Sequence, residues 1–410
     1  MLKEIIEAAR LSPEFCANLV RVPVEQFREW MDDKKQIPGF AIPELCAVLG
    51  VTEKDLLSRK PSRSSDGSSV APAIWFKLRD NRLGDSDREF VGLVRRLGFS
   101  MTQLDDIRNV RSSSVWSAIA QSVSNQIDRS SPPALQGSEA AARFRSIGNL
   151  EQGQVGIGEL IRRHLRQSGL VVIESPITKS SLEGCCFEIG TEGDKRPCVF
   201  SNTFRSTWFR RNEVIMHEVC HAIFDLANDP VSLDFVNDED SSTISEERAR
   251  SFSQECLAPR SVLVQYANQL GIRWNELTVE QLSQLVAKTH VEQRTVVRAA
   301  YGNGLITDDL RERYYAYDCA PVLRSISTHS LSTREYMENV AAEMPKWIAR
   351  NRTTSLGTRR LRLPAGYMKQ IIDLTNAGEI SFGKAAEMCM MDRYTFAERF
   401  GDSITEPTFA

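Results

Sequence analysis

The sequence predicts a multidomain, mostly α-helical chain with a central α+β domain and helical regions on either side of it. Three observations carry this expectation. The chain has 410 residues, more than the ~100–200 of an ordinary domain. Apolar residues recur at helical spacing towards both ends, whereas the stretch from 170 to 202 is rich in β-branched and apolar runs. Two Ser-, Pro- and Gly-rich stretches, SRKPSRSSDGSSVAP and DRSSPPALQGS, interrupt the pattern. The division that follows is a helical unit over 1–57, a linker over 58–73 and a helical region over 74–127. A second linker (128–138), the α+β domain (139–305) and a helical C-terminal domain (306–410) complete it.

Residues 1–57 read as short helices, with Ile5, Ile6, Leu11, Phe15, Leu19, Phe27, Trp30, Leu45 and Leu49 at helical spacing. DREFVGLVRRLG and SVWSAIAQSVSNQ continue the helical pattern but carry no chemical motif. IGELIRRHLRQSG then predicts a helix ending at Gly169, LVVIESPI a strand, and CCFEIG and RPCVFSN two more strands about the polar turn TEGDK. A helix over RNEVIMHEVCHAIFDL, an acidic loop DFVNDEDSST and a helix over SEERARSFSQECLA come next. Beyond 306 the pattern is mostly helical.

Composition bounds the function. Hydrophobic content of 41% is enough for a buried core, and a net charge of −3 argues against a chain that binds nucleic acid by overall electrostatics. Nine cysteines without a C-x-x-C pair point to a reducing, cytoplasmic setting. MLKEIIEAAR lacks the apolar core of a signal peptide, and no apolar run approaches the ~18 residues of a membrane span.

The chemistry concentrates at His217-Glu218-Val219-Cys220-His221, which holds two of the five histidines. Helical positions four apart nearly eclipse, so His217 and His221 project from one face and both imidazoles can reach one metal. Glu218 lies a step round that face. A catalytic zinc site takes three protein ligands and keeps one position open, and a neighbouring carboxylate accepts and returns the proton of an activated water. The apolar flanks Val214, Ile215, Val219, Ala222, Ile223 and Leu226 predict a largely buried helix, where histidines need partners. Cys220 points away from the shared axis and is expected to pack in the core. A third ligand must come from elsewhere. Ser245 reads as an N-cap, with Glu246 and Glu247 opening the next helix. Glu246 lies on the edge of the Ala249–Phe252–Cys256 stripe, yet both acids also suit an ordinary first turn facing the helix dipole.

HEVCHAIFD followed by EERARSFSQECLAP resembles the ImmA/IrrE family of metallopeptidases, which carries HExxH and then a helix of the form E-x-x-A-x-x-F-A-x-x-L-x-x-P. Glu246, Ala249, Phe252 and Pro259 match it, Ser253 stands where alanine is usual, and Leu257 falls one place late. IGELIRRHLRQSGLVVIESPI and LVAKTHVEQRTVVRAAYGNGLI extend the resemblance over 139–305. It implies a minimal zincin-like (gluzincin) domain in which His217, His221 and Glu246 hold Zn2+ or another divalent ion and Glu218 is the catalytic base. His290, Arg298 and Tyr301 are candidates for stabilising the transition state. His164 reads as a solvated-face residue, and His329 carries no signal.

The ends also carry patterns. LSPEFCANLVRVPVEQFREWMDDKKQIP resembles the helix-turn-helix of Xre/Cro-type repressors, with a second helix over 24–31 presenting Glu25, Gln26, Arg28 and Glu29 to a major groove. Arg21 and Pro23 replace the common glycine and polar cap, and 1–57 holds seven Lys and Arg against ten Asp and Glu, which weakens phosphate contact. Protein contact or homodimerisation is the other use of such a module. LTNAGEISFGKAAEMCMMDRYTFAERF looks like a second helix-turn-helix, preceded by the most basic stretch of the chain, 346–362. The expectation is therefore a cytoplasmic zinc metallopeptidase with helix-turn-helix modules, cleaving a repressor-type protein in a stress, phage or defence response. DNA contact through 1–57 or 346–362 is a second expectation. The alternative is a DNA-binding regulator whose zincin-like domain serves as sensor or scaffold.

Overall fold

A computed structural model of the chain describes residues 2–9, 11–49, 51, 53–57, 84–108, 113–150, 157–178, 180–191, 194–226, 231–235, 243–343, 363–391 and 393–404. The linker expected over 58–73 and the basic stretch 346–362 lie outside the described residues. The described residues are mostly helical around one small mixed sheet. Among the described residues no helix is long and apolar enough to cross a membrane.

Five short helices, α1 (Leu2–Ala9), α2 (Pro13–Leu19), α3 (Val24–Met31), α4 (Ile42–Leu49) and α5 (Glu53–Leu57), close around their own core of Leu11, Ala17, Phe27, Trp30 and Leu45. The long helix α6 (Asp85–Ile107) follows and meets this unit where Ser12 Oγ donates to Asp85 Oδ2 at 3.2 Å. Then come α7 (Ser113–Ser124), α8 (Pro133–Ile147) and α9 (Ile157–Gln167), before strands β1 (Val171–Ser175), β2 (Leu182–Thr191) and β3 (Asp194–Asn202). These are the three strands expected from sequence. Helix α10 (Trp208–Phe224) carries the HExxH residues. A fourth strand, β4 (Val231–Phe235), lies where the sequence reads as the approach to an acidic loop.

The strand order is β1-β3-β2-β4. β1 runs parallel to β3, and β2 runs antiparallel to both β3 and β4. Alternation along the strands serves two cores. Cys186 and Val199 face α10, joining Ile215, Val219 and Cys220. Cys185, Phe187, Cys198 and Phe200 face the opposite side, where Val94 and Leu97 of α6 meet Ile371, Ala385 and Phe396 from the C-terminal helices.

The α10 side is completed by α11 (Ile244–Leu257), α12 (Arg260–Gln269), α13 (Val279–Thr289) and α14 (Gln293–Gly302). Helices α15 (Asp308–Tyr315), α16 (Ala320–Ile326) and α17 (Thr333–Glu343) follow. Among the described residues α18 (Ala365–Asn376), α19 (Phe382–Met388), α20 (Arg393–Phe400) and a 3-10 turn over Gly401–Ser403 come last.

Two expected boundaries are corrected. The stretch 128–138 is no linker. Pro133 begins α8, and buried Gln136 donates through Nε2 to the carbonyls of Arg129 at 3.1 Å and Ser131 at 2.7 Å, which closes the Ser/Pro-rich turn onto the helix. Gly137 lets α8 approach α11 so closely that a Cβ would stand 2.3 Å from the Arg248 carbonyl oxygen. Nor does the core stop at 305. Fully buried Tyr314 donates to the Trp274 carbonyl at 2.8 Å and accepts from Leu277 N at 3.2 Å. The regions expected as separate, 74–127 and 306–410, thus supply the cover of a sheet that is buried on both faces.

Candidate metal centre

Thr207 caps α10 by accepting from Arg210 N at 3.2 Å, and from Asn212 to Phe224 every residue of the helix is buried. Helix α11 begins two residues earlier than the Ser245 cap expected from sequence. Thr243 is the N-cap and accepts from Glu246 N at 3.3 Å. That start makes Glu246 an inward residue of the first turn and leaves Glu247 exposed.

The structure brings His217, His221 and Glu246 together. The two Nε2 atoms are 3.1 Å apart, His217 Nε2 lies 3.0 Å from Glu246 Oε2, and His221 Nε2 lies 3.4 Å from Glu246 Oε1. Tetrahedral zinc with bonds of about 2.0–2.2 Å spaces its donor atoms about 3.3–3.6 Å apart, so this donor set suits a divalent ion in chemistry and comes within about 0.3 Å of its spacing. Electrostatics agree. Burial opposes charge on His221, but hydrogen bonding to Asp225 and Glu246 and the nearby Glu218 charge outweigh it and push the imidazole up to about 10. Burial likewise opposes charge on Glu246, yet its bonds to both histidines hold the carboxyl well below the usual range. The site thus gathers negative charge around nitrogen donors, the condition a cation satisfies.

Glu218 is fully buried beside the cluster. Gly184 on β2 makes room for it. A Cβ there would stand 2.8 Å from Glu218 Oε1 and 2.6 Å from Val214 Cγ1. Cys220 packs in the core with its thiol pushed up by burial, as the sequence reading expects.

Asp225 is the residue that sequence reasoning missed. His221 Nδ1 bonds Asp225 Oδ2 at 2.8 Å, which commits Nδ1 as the donor and turns Nε2 towards the cluster. Arg248 Nη2 donates to the other Asp225 oxygen at 2.6 Å, and its guanidinium lies 4.7 Å over the Phe224 ring. The signal was available, because an acid four residues beyond the second histidine shares its helix face. Ser253, one departure from the family pattern, donates to the Glu213 carbonyl at 2.9 Å and ties α11 to α10.

The candidates for transition-state stabilisation make their contacts elsewhere. His290 Nδ1 lies 3.1 Å from Glu159, Arg298 donates to Thr295 at 3.1 Å, and exposed Tyr301 carries the Arg311 guanidinium over its ring. His164 is half-buried and meets the Phe144 ring edge-on, so it is no solvated residue; exposed His329 lies beside the Trp208 ring. No protein-family model, curated protein or solved structure matches the chain.

Proposed function

We propose that the chain is a metal-dependent peptidase of the ImmA/IrrE kind, with a zincin-like catalytic domain, acting on a repressor-type protein. The observation that supports this most is the convergence of His217 and His221 of α10 with Glu246 of α11, and Glu218 beside them on α10. The three would hold Zn2+ or a similar divalent ion, which when bound supplies Lewis-acid activation at its open position. Glu218 takes the proton released as water attacks a peptide carbonyl and returns it to the leaving amine. Asp225 holds the His221 tautomer through this cycle, and Arg248 holds Asp225. A purely structural metal site has no use for a buried carboxylate in the Glu218 position, which favours the peptidase over a sensor or scaffold. Peptide as the substrate, and a repressor as its source, rest on the resemblance of 139–305 alone.

The test is Glu218→Gln in the full chain, assayed on a repressor-type helix-turn-helix protein co-expressed from the neighbouring gene. Metal content is expected to stay at the wild-type level while cleavage falls by about 100-fold or more. Cleavage that survives the change sinks the proposal.

A further inference from the structure

The described residues between Ser381 and Phe400 repeat the geometry of Ser12 to Met31. Each unit opens on a serine whose side chain accepts from the amide three residues on, Phe15 N and Lys384 N, both at 3.1 Å. Helices α2 and α19 each run seven residues. Each is left by a non-glycine residue in the left-handed region, Arg21 at φ 57 and Met390 at φ 53. The same closing bond follows at 3.0 Å, from Val22 N to Ala17 O and from Met391 N to Ala386 O. Eight-residue second helices then begin at Val24 and Arg393. The packed positions correspond as well, with Ala17 and Phe27 matched by Ala386 and Phe396, all buried. Two helix-turn-helix units therefore stand in one chain.

Their surfaces differ. On the first unit, Arg28 is bound by Glu14 at 2.6 Å and Lys35 by Glu29 at 2.8 Å, within a segment of net acidic charge. On the second, α20 exposes Arg393, Tyr394, Ala397, Glu398 and Arg399, with Tyr394 89% exposed. Among the described residues no carboxylate pairs with Arg393 or Arg399. In sequence, 381–400 holds three Lys and Arg against three Asp and Glu, and the stretch 346–362 that precedes this unit along the chain holds six Lys and Arg and no acid. A helix-turn-helix reads duplex DNA with the first residues of its second helix in the major groove, and affinity comes from cationic contact with phosphate.

We propose that the C-terminal unit is a double-stranded-DNA-binding site, with Arg393, Tyr394 and Arg399 on the contacting face, and that the N-terminal unit of the same geometry is not. This inference is independent of the peptidase reading. Because α19 and α20 share a core with the outer face of the sheet, and Arg96 of α6 pairs with Glu387, the DNA-reading unit is built into the domain that carries the metal centre.

The experiment is fluorescence anisotropy of the full chain on a labelled duplex pool of about 30 base pairs with randomised sequence, starting at about 50 mM salt. Saturable binding that weakens steeply with salt is expected. The double substitution Arg393→Ala/Arg399→Ala should weaken it by about tenfold or more and flatten the salt slope by roughly two, while Arg28→Ala leaves it within about twofold. Should the double variant fail to fold, Tyr394→Ala must weaken binding by about fivefold or more. Absence of duplex binding at low salt overturns the proposal, as does a folded Arg393→Ala/Arg399→Ala protein that binds like wild type. A loss confined to Arg28→Ala assigns DNA to the N-terminal unit and overturns it equally.

Discussion

His221 links the metal cluster to the rest of the fold, because its two ring nitrogens face Glu246 on one side and Asp225 on the other. Asp225→Asn keeps the shape but removes the charge that fixes the ring. Metal affinity, measured by competition with a chelator, is expected to fall by about 10- to 100-fold. An unchanged affinity would leave Asp225 with a packing role only. The same pair sets a pH dependence. The folded-state value of His221 is raised from 6.5 to about 10, so its contribution to the metal-free fold is complete below 6.5 and is lost as pH rises towards 10. Glu246 is depressed from 4.5, so its contribution is present above that value and is lost as pH falls through the folded-state value. Melting of the chelator-treated protein should therefore decline from neutral pH towards 10. Excess metal should remove that slope, because metal displaces the proton from His221. A flat metal-free profile over this range would contradict the arrangement. The HExxH residues were legible from spacing alone, since helical period four is local. Glu246 needed the resemblance to choose it over Glu247, because their separation from His221 along the chain says nothing about distance in space.

At the scale of elements, local signals carried well where pairing is short-range. Helix α3 covers 24–31 as the sequence predicts, and the three strands before α10 appear about their expected turn. β4 was missed because a five-residue edge strand owes its existence to β2, and nothing within Val231–Phe235 declares that partner. The Ser/Pro-rich stretch 128–138 was misread for a similar reason. Composition favours a linker, but Pro133 is tolerated in a first helical turn, and the amide of Gln136 satisfies the turn before it. The close approach of α8 to α11 carries its own prediction. Gly137→Ala drives a methyl group into the Arg248 carbonyl and should cost about 3 kcal/mol in denaturant unfolding, with metal affinity reduced because α11 carries Glu246. Wild-type stability in this variant would show that the two helices do not need their close contact.

On the scale of the whole molecule, chain length and the two polar stretches suggested more separate domains than the cores show. Residues 2–57 do enclose a core of their own. Beyond them, α6 and the C-terminal helices cover one face of the sheet, and the segment around Tyr314 extends the core on the other. The sequence could not reveal this, because the residues that meet across the sheet, such as Leu97, Phe187 and Ile371, come from three distant parts of the chain. What the arrangement achieves is a rigid seat for α10 and α11, the two helices whose spacing places His217, His221 and Glu246 around one point. The most direct measurement is therefore the metal stoichiometry of the purified full chain by elemental analysis, beside His221→Ala and Glu246→Ala. One divalent ion per chain in the wild type, with less than about a tenth of that in either folded variant after dialysis, is the expected result. A wild-type chain that folds and binds no divalent ion, or variants that retain it in full, would contradict the account.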